Sequence, residues 1–108
     1  MQLKEYQEQA LVTAQYGAGP KIIYPALGLA NEAGEVLGKI KKVLRDNNAE
    51  FTEEKCKEIS KEIGDVLWYI AALASDLNIS LEDIALENLQ KLKDRHSRGV
   101  IQGSGDNR

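Results

Sequence analysis

Apolar residues recur every three to four positions along most of the chain, and no run of four or more alternates cleanly in β-branched types. That spacing predicts four helices. The first covers about residues 3–16 and gives way to Gly17-Ala18-Gly19-Pro20, which carries turn chemistry at both ends. The second opens near Pro25, a residue suited to a first helical turn, and ends in Asp46-Asn47-Asn48. The third starts after Thr52 as N-cap, with Phe51 and Cys56 at hydrophobic-staple spacing, and reaches Leu77, with Asn78 as a left-handed cap. Ser80 and Asp83 form a variant capping box for the fourth, with Ile79 and Ile84 at staple spacing, and it extends to about Arg95. Residues 99–108, with Gly103 and Gly105, read as an irregular basic tail. Short connectors make neighbours antiparallel, so the expected fold is all-α: an antiparallel bundle of about four helices in one domain over residues 1–108.

The third helix changes this picture. Val66-Leu67-Trp68-Tyr69-Ile70-Ala71-Ala72-Leu73-Ala74 is apolar all round, which in a helix means burial all round. Three partner helices from a chain of 108 residues are too few to enclose it. The bundle is therefore expected to be completed by homo-oligomerisation, as a dimer or tetramer. The same run is far short of the ~20 apolar residues that cross a bilayer, so no membrane partner is expected.

Composition excludes several classes. With 43% hydrophobic and 29% charged residues the chain is not of disordered type. Cys56, the single cysteine, excludes an internal disulfide framework and a thiolate zinc cluster. The first residues lack an apolar signal core, which makes the cytoplasm the expected compartment. The net charge of −3 hides an asymmetry, because Lys91, Lys93, Arg95, Arg98 and Arg108 face only Asp94 and Asp106 in the last eighteen residues. The rest of the chain is acidic and would repel a phosphate backbone, so duplex nucleic acid is not an expected ligand.

The strongest signal is a repeated acidic pattern. Residues 32–37 are Glu-Ala-Gly-Glu-Val-Leu and residues 62–67 are Glu-Ile-Gly-Asp-Val-Leu. On a helical wheel each acid pair borders an apolar stripe, Leu29, Ala33, Val36, Leu37 and Ile40 on one helix and Ile59, Ile63, Val66, Leu67 and Ile70 on the other. If antiparallel helices bury those stripes together, Glu32, Glu35, Glu62 and Asp65 converge along one seam. Four partly desolvated anions cost several kcal/mol unless a cation neutralises them. Oxygen ligands without histidine suit a hard divalent ion, Mg²⁺ first and Mn²⁺ second. Gly34 and Gly64, at matched places inside the helices, are expected to admit a close approach of backbone or ligand.

Asn31-Glu32-Ala33-Gly34-Glu35, followed by Glu62-Ile63-Gly64-Asp65, resembles the E-E-x-x-E then E-x-x-D signature of MazG-like nucleoside triphosphate pyrophosphohydrolases, the all-α branch of such enzymes. The likeness covers nearly the whole chain, including Gly28-Leu29 and the terminal Gly103-Ser104-Gly105-Asp106-Asn107-Arg108. It implies helical dimers or tetramers and Mg²⁺-dependent hydrolysis of an NTP or dNTP to monophosphate and pyrophosphate. Carried across by position, Glu32, Glu35, Glu62 and Asp65 are the catalytic metal ligands. Asn31 stands where the signature has its first Glu, and a neutral amide there is a poorer ligand, better placed among the substrate contacts.

On the fourth helix Asn88, Lys91 and Arg95 share one face with Leu81, Ile84 and Leu92, an edge suited to phosphate oxygens. The resemblance assigns Lys91 and Arg95 to phosphates and Asn88 to hydrogen bonding with substrate or with the metal's shell. Trp68, one turn after Asp65, is a candidate for stacking on a nucleobase, and Lys39, on the Glu32 side of its helix, is a weaker phosphate candidate. His96 and Cys56 carry no expected chemistry. Two other readings remain open: a specialised dUTP, dCTP or phosphoribosyl-ATP pyrophosphohydrolase, and a non-enzymatic helical oligomer that regulates or binds a partner.

Overall fold

Side chains read from the sequence fix two helix starts. Thr52 Oγ1 accepts from the Lys55 N–H at 3.2 Å, and Ser80 Oγ accepts from the Asp83 N–H at 3.3 Å. In the computed structural model, which describes residues 1–108, four helices follow in order: α1 Leu3–Val12, α2 Ile23–Asp46, α3 Glu53–Asp76 and α4 Leu81–Ser97. No strand is present. Asn78 takes the left-handed conformation expected of it, with φ 58°. The staple residues behave differently from expectation: Phe51, Ile79 and Ile84 all stay exposed, and Cys56 only reaches the Phe51 carbonyl, at 3.7 Å.

The largest boundary difference is at the end of α1, four residues earlier than the periodicity predicts. Thr13 donates its hydroxyl back to the Ala10 carbonyl at 3.0 Å, the local bond by which threonine competes with a helical ladder. At the start of α2, Ile22 sits at φ 68°, a strained conformation for a β-branched residue. Asp76, at the end of α3, holds it there: its Oδ2 accepts from the Ile22 N–H and from the Tyr16 hydroxyl, each at 2.9 Å. Burial and that bond push the Tyr16 hydroxyl up to about 12. Pro25 then falls in the first turn of α2, where a missing N–H removes no helical bond.

Six residues join α2 to α3, so the two long helices run antiparallel and pack along their length. Gly28 faces Tyr69 so closely that a Cβ at Gly28 would overlap the aromatic ring. This glycine, rather than Gly34 or Gly64, is the one the protomer needs. A Cβ at either of those two meets open space, so the close approach expected there is absent within one chain.

Ala10, Ala71 and Leu81 form a small core where α1, α3 and α4 meet, with Tyr6, Trp68 and Ile70 packed around it. Alanines at the centre let the helices come close but leave little buried area. Only 8 of 108 residues are buried, and the radius of gyration is 16.8 Å, against about 13 Å for a compact chain of this length. The four helices are consistent with the expected all-α bundle, and within one protomer α4 packs on α1 and α3 and makes no contact with α2. The expected burial of the two stripes is only partial. Ala33, Leu37 and Ile63 are exposed, Leu37 by 68%, and with Val36 and Val66 they line an apolar hollow beside the acidic residues.

Gly28→Ala should displace Tyr69. Overpacking costs about 1–3 kcal/mol and the helical preference of alanine returns about 1 kcal/mol, so a fall of roughly 5 °C in Tm is expected by thermal unfolding. An unchanged or raised Tm would show that Tyr69 does not need the space.

Candidate metal centre

Because Gly28 lies against Tyr69, the antiparallel register brings the next turn of α2 opposite the preceding turn of α3. Glu32 therefore meets Glu62 and Asp65, and one carboxylate oxygen from each lies within 4.8 Å of the other two. Two oxygens on opposite sides of a bound Mg²⁺ are about 4.2 Å apart, twice its ligand distance, so small side-chain rotations suffice to share one ion. Three hard carboxylate donors with neither histidine nor thiolate among them fit such an ion. Glu35, expected as a fourth member, lies outside this group and is exposed.

The electrostatics of the seam are one-sided. Burial raises the pKa of Glu32 first, and the charges of Asp65, Glu62 and Glu35 raise it further. Every charge acting on it is a carboxylate, so Glu35 influences the cluster through its field. Nearby hydroxyls report the same negative potential. Burial and the Asp65 charge push up Tyr6, while burial, a hydrogen bond with Tyr24 and the charges of Glu32 and Asp65 push up Tyr69.

A hollow of about 370 Å³ opens over the acids, lined by Thr13, Glu32, Asp65, Trp68 and Tyr69, a volume in the range of small-ligand sites. The Trp68 indole N–H donates to Thr13 Oγ1 at 2.9 Å, and its ring meets Tyr69 edge-on, with centroids 4.9 Å apart and planes at 86°. Tyr69 is backed by Tyr24, which stacks on Tyr16 at 4.8 Å. The aromatic wall is thus anchored through Tyr16 to Asp76. Sequence reasoning missed Thr13, whose place inside a predicted helix concealed its role, and Tyr6, which the pattern marks only as apolar.

The fourth helix assembles its residues elsewhere. Lys91 Nζ contacts Asp106 Oδ1 at 2.9 Å and Arg95 Nη2 contacts the same oxygen at 3.2 Å. Asn88 lines a neighbouring hollow with Ile84, Glu87, Lys91 and Asp106. None of these residues borders the carboxylate hollow, and α4 does not reach α2. The structure therefore gathers the anions in one place and the cations in another. Asn31, exposed, and Lys39, half-buried, also stay outside the carboxylate hollow, while His96 and Cys56 are exposed.

A raised folded-state pKa means that the native protein holds the Glu32 proton more tightly than the unfolded chain. That contribution to stability is present below the ordinary glutamate value and is lost as pH rises through the raised value. At pH 7 without metal, Glu32→Gln should therefore melt higher than the wild type. Millimolar Mg²⁺ or Mn²⁺ should raise the wild-type Tm by several degrees and leave the variant nearly unmoved. Equal metal responses of the two proteins would remove Glu32 from the ligand set.

Comparison with known proteins identifies the family. The family model for the MazG nucleotide pyrophosphohydrolase domain matches residues 25–100, the span that carries both acidic motifs and α4. Gene 37 protein of Mycobacterium phage L5 is 46% identical over 114 aligned positions, covering 100% of both chains. No solved structure matches the chain. With well over half its length matched by that model, including Glu32, Glu62 and Asp65, the chain belongs to the MazG nucleotide pyrophosphohydrolase family.

Proposed function

We propose that the protein is a Mg²⁺-dependent nucleoside triphosphate pyrophosphohydrolase, acting on an NTP or dNTP to give the monophosphate and pyrophosphate. The observation that carries this reading is the convergence of Glu32, Glu62 and Asp65, with no compensating cation, at the edge of an aromatic-walled hollow. Glu32, Glu62 and Asp65 would hold the divalent ion, with Glu35 joining from the next turn of α2. Mn²⁺ is the alternative ion for the same donors. When bound, the ion supplies charge neutralisation and polarisation of phosphate oxygens.

The remaining chemistry belongs to the chain. A water oxygen bonds to the α-phosphorus, the bridging bond to the β-phosphate breaks, and pyrophosphate leaves with that electron pair. A carboxylate of the cluster accepts the proton that the water gives up. Trp68, held by Thr13 and braced edge-on by Tyr69, offers a surface for the base. Asn31, at the exposed edge of α2, contacts substrate, and Lys39 supports the phosphate end. Asn88, Lys91 and Arg95 bind phosphate oxygens, as charge-assisted donors do.

That α4 does not touch α2 and that Lys91 and Arg95 lie outside the carboxylate hollow support a site whose phosphate contacts come from a second copy of the chain. The half-open apolar stripe of Ala33, Leu37 and Ile63 and the exposed Leu86 and Leu89 of α4 supply matching apolar surfaces for that assembly. The oligomer is a homodimer or homotetramer.

Incubation with a panel of NTPs and dNTPs should release pyrophosphate only when Mg²⁺ or Mn²⁺ is present. Glu62→Gln should lower the rate by about a hundredfold or more. No metal-dependent release from any nucleotide would refute the assignment. A mixture of Glu62→Gln and Lys91→Ala chains should recover about a quarter of wild-type activity, since a shared site in a two-fold dimer leaves one intact site in each mixed pair. A mixture no more active than its components would place both halves of the site in one chain.

A further inference from the structure

The cations of α4 already hold an anion. Asp106 Oδ1 is shared between Lys91 Nζ at 2.9 Å and Arg95 Nη2 at 3.2 Å, and the same Arg95 nitrogen donates to the Asp106 carbonyl. The burial of the partners is unequal. The Arg95 side chain is 7% exposed and that of Asp106 is 77% exposed, so the guanidinium lies behind and the carboxylate sits at the mouth. One oxygen bonded to both cations stands where an oxygen of a phosphate group would be bound. Beside it lies the hollow of about 470 Å³ lined by Ile84, Glu87, Asn88, Lys91 and Asp106.

The segment that delivers Asp106 is folded on itself rather than on the core. Arg108 donates to the carbonyls of Val100 at 3.1 Å, Gly105 at 2.6 Å and Ile101 at 2.8 Å, which closes residues 100–108 into a loop. The loop joins α4 through Gly99, in the left-handed region at φ 71°. Ile101 is exposed, and beyond Val100, whose N–H donates to the Arg95 carbonyl at 2.9 Å, the polar ties back to the helix are the contacts of Asp106 with Lys91 and Arg95 and that of Arg98 with the Arg108 main-chain oxygen. A loop with its own internal bonds can lift away without unravelling.

We propose that Asp106 is a built-in competitor for phosphate: it occupies the Lys91–Arg95 seat, and residues 101–108 form a strap that an incoming polyphosphate displaces. This rests on the reading of Lys91 and Arg95 as phosphate contacts. A tethered carboxylate acts at high effective concentration, yet it brings a single negative charge. A triphosphate brings several and replaces it, whereas weakly charged anions are turned away. The strap thus sets a charge threshold for occupancy of the seat. The apparent dissociation constant is the intrinsic one divided by the fraction of open seats. With partly exposed ion pairs holding it, the strap should weaken polyphosphate binding about fivefold, or ~1 kcal/mol.

The test is calorimetric titration of the full chain with inorganic tripolyphosphate in metal-free buffer. Asp106→Asn should bind about fivefold more tightly than the wild type. In the wild type, saturating tripolyphosphate should lower the ¹⁵N heteronuclear NOE at the amides of residues 101–108, as a displaced strap gains fast motion. Equal or weaker binding by Asp106→Asn, or an unchanged or higher NOE in that segment, would overturn the strap and leave Asp106 as a residue that positions the two cations. Lys91→Ala distinguishes the underlying reading. If it binds tripolyphosphate as tightly as the wild type, the seat itself is misassigned; if binding falls, the seat stands and Asp106→Asn alone decides the strap.

Discussion

Repulsion among Glu32, Glu62 and Asp65, held across the α2–α3 seam, is the interaction on which the rest of the structure depends. The register that creates it is set by packing, through the aromatic ring of Tyr69 lying where Gly28 has no side chain. A slip of one turn would separate the acids and relieve the charge. The hairpin instead keeps three anions together while Asp65, Glu62 and Glu35 all act on Glu32 in the same direction. Such an arrangement is stable at neutral pH to the extent that something positive enters it.

One protomer leaves much of its apolar surface uncovered. Its core is made largely of alanines, Ala10, Ala71, Ala72 and Ala74, which favour close helix approach over buried area. The large aliphatic side chains, Leu37, Ile63, Leu86 and Leu89 among them, face outward. Charge is divided in the same way, with anions on α2 and α3 and the paired cations of α4 out of their reach. Apolar surface and the acidic cluster thus each lack a counterpart within one chain, while the cations of α4 are met only by Asp106.

Much of this was legible in the sequence because it depends on local spacing. Thr52 and Ser80 cap their helices as read, since a cap involves only three or four successive residues. The acidic pairs could be placed on facing stripes because helical periodicity fixes faces. What was not legible involves partners far apart in the chain. Asp76 reaches back to Ile22 and Tyr16, Thr13 meets Trp68, and Asp106 lies on Lys91 and Arg95, none of which follows from periodicity. Gly34 and Gly64 drew attention through their matched positions, whereas the glycine that the packing requires, Gly28, lies outside the repeat. Glu35 lies one helical turn from Glu32 on an exposed part of the same face, so periodicity alone does not separate it from the three acids that meet.

The most direct measurement is the anomalous difference map of crystals grown with Mn²⁺. An ion is expected between α2 and α3, sharing oxygens of Glu32, Glu62 and Asp65. An ion bound elsewhere, or a manganese-free seam whose three well-ordered carboxylates turn away from one another into solvent, would contradict it.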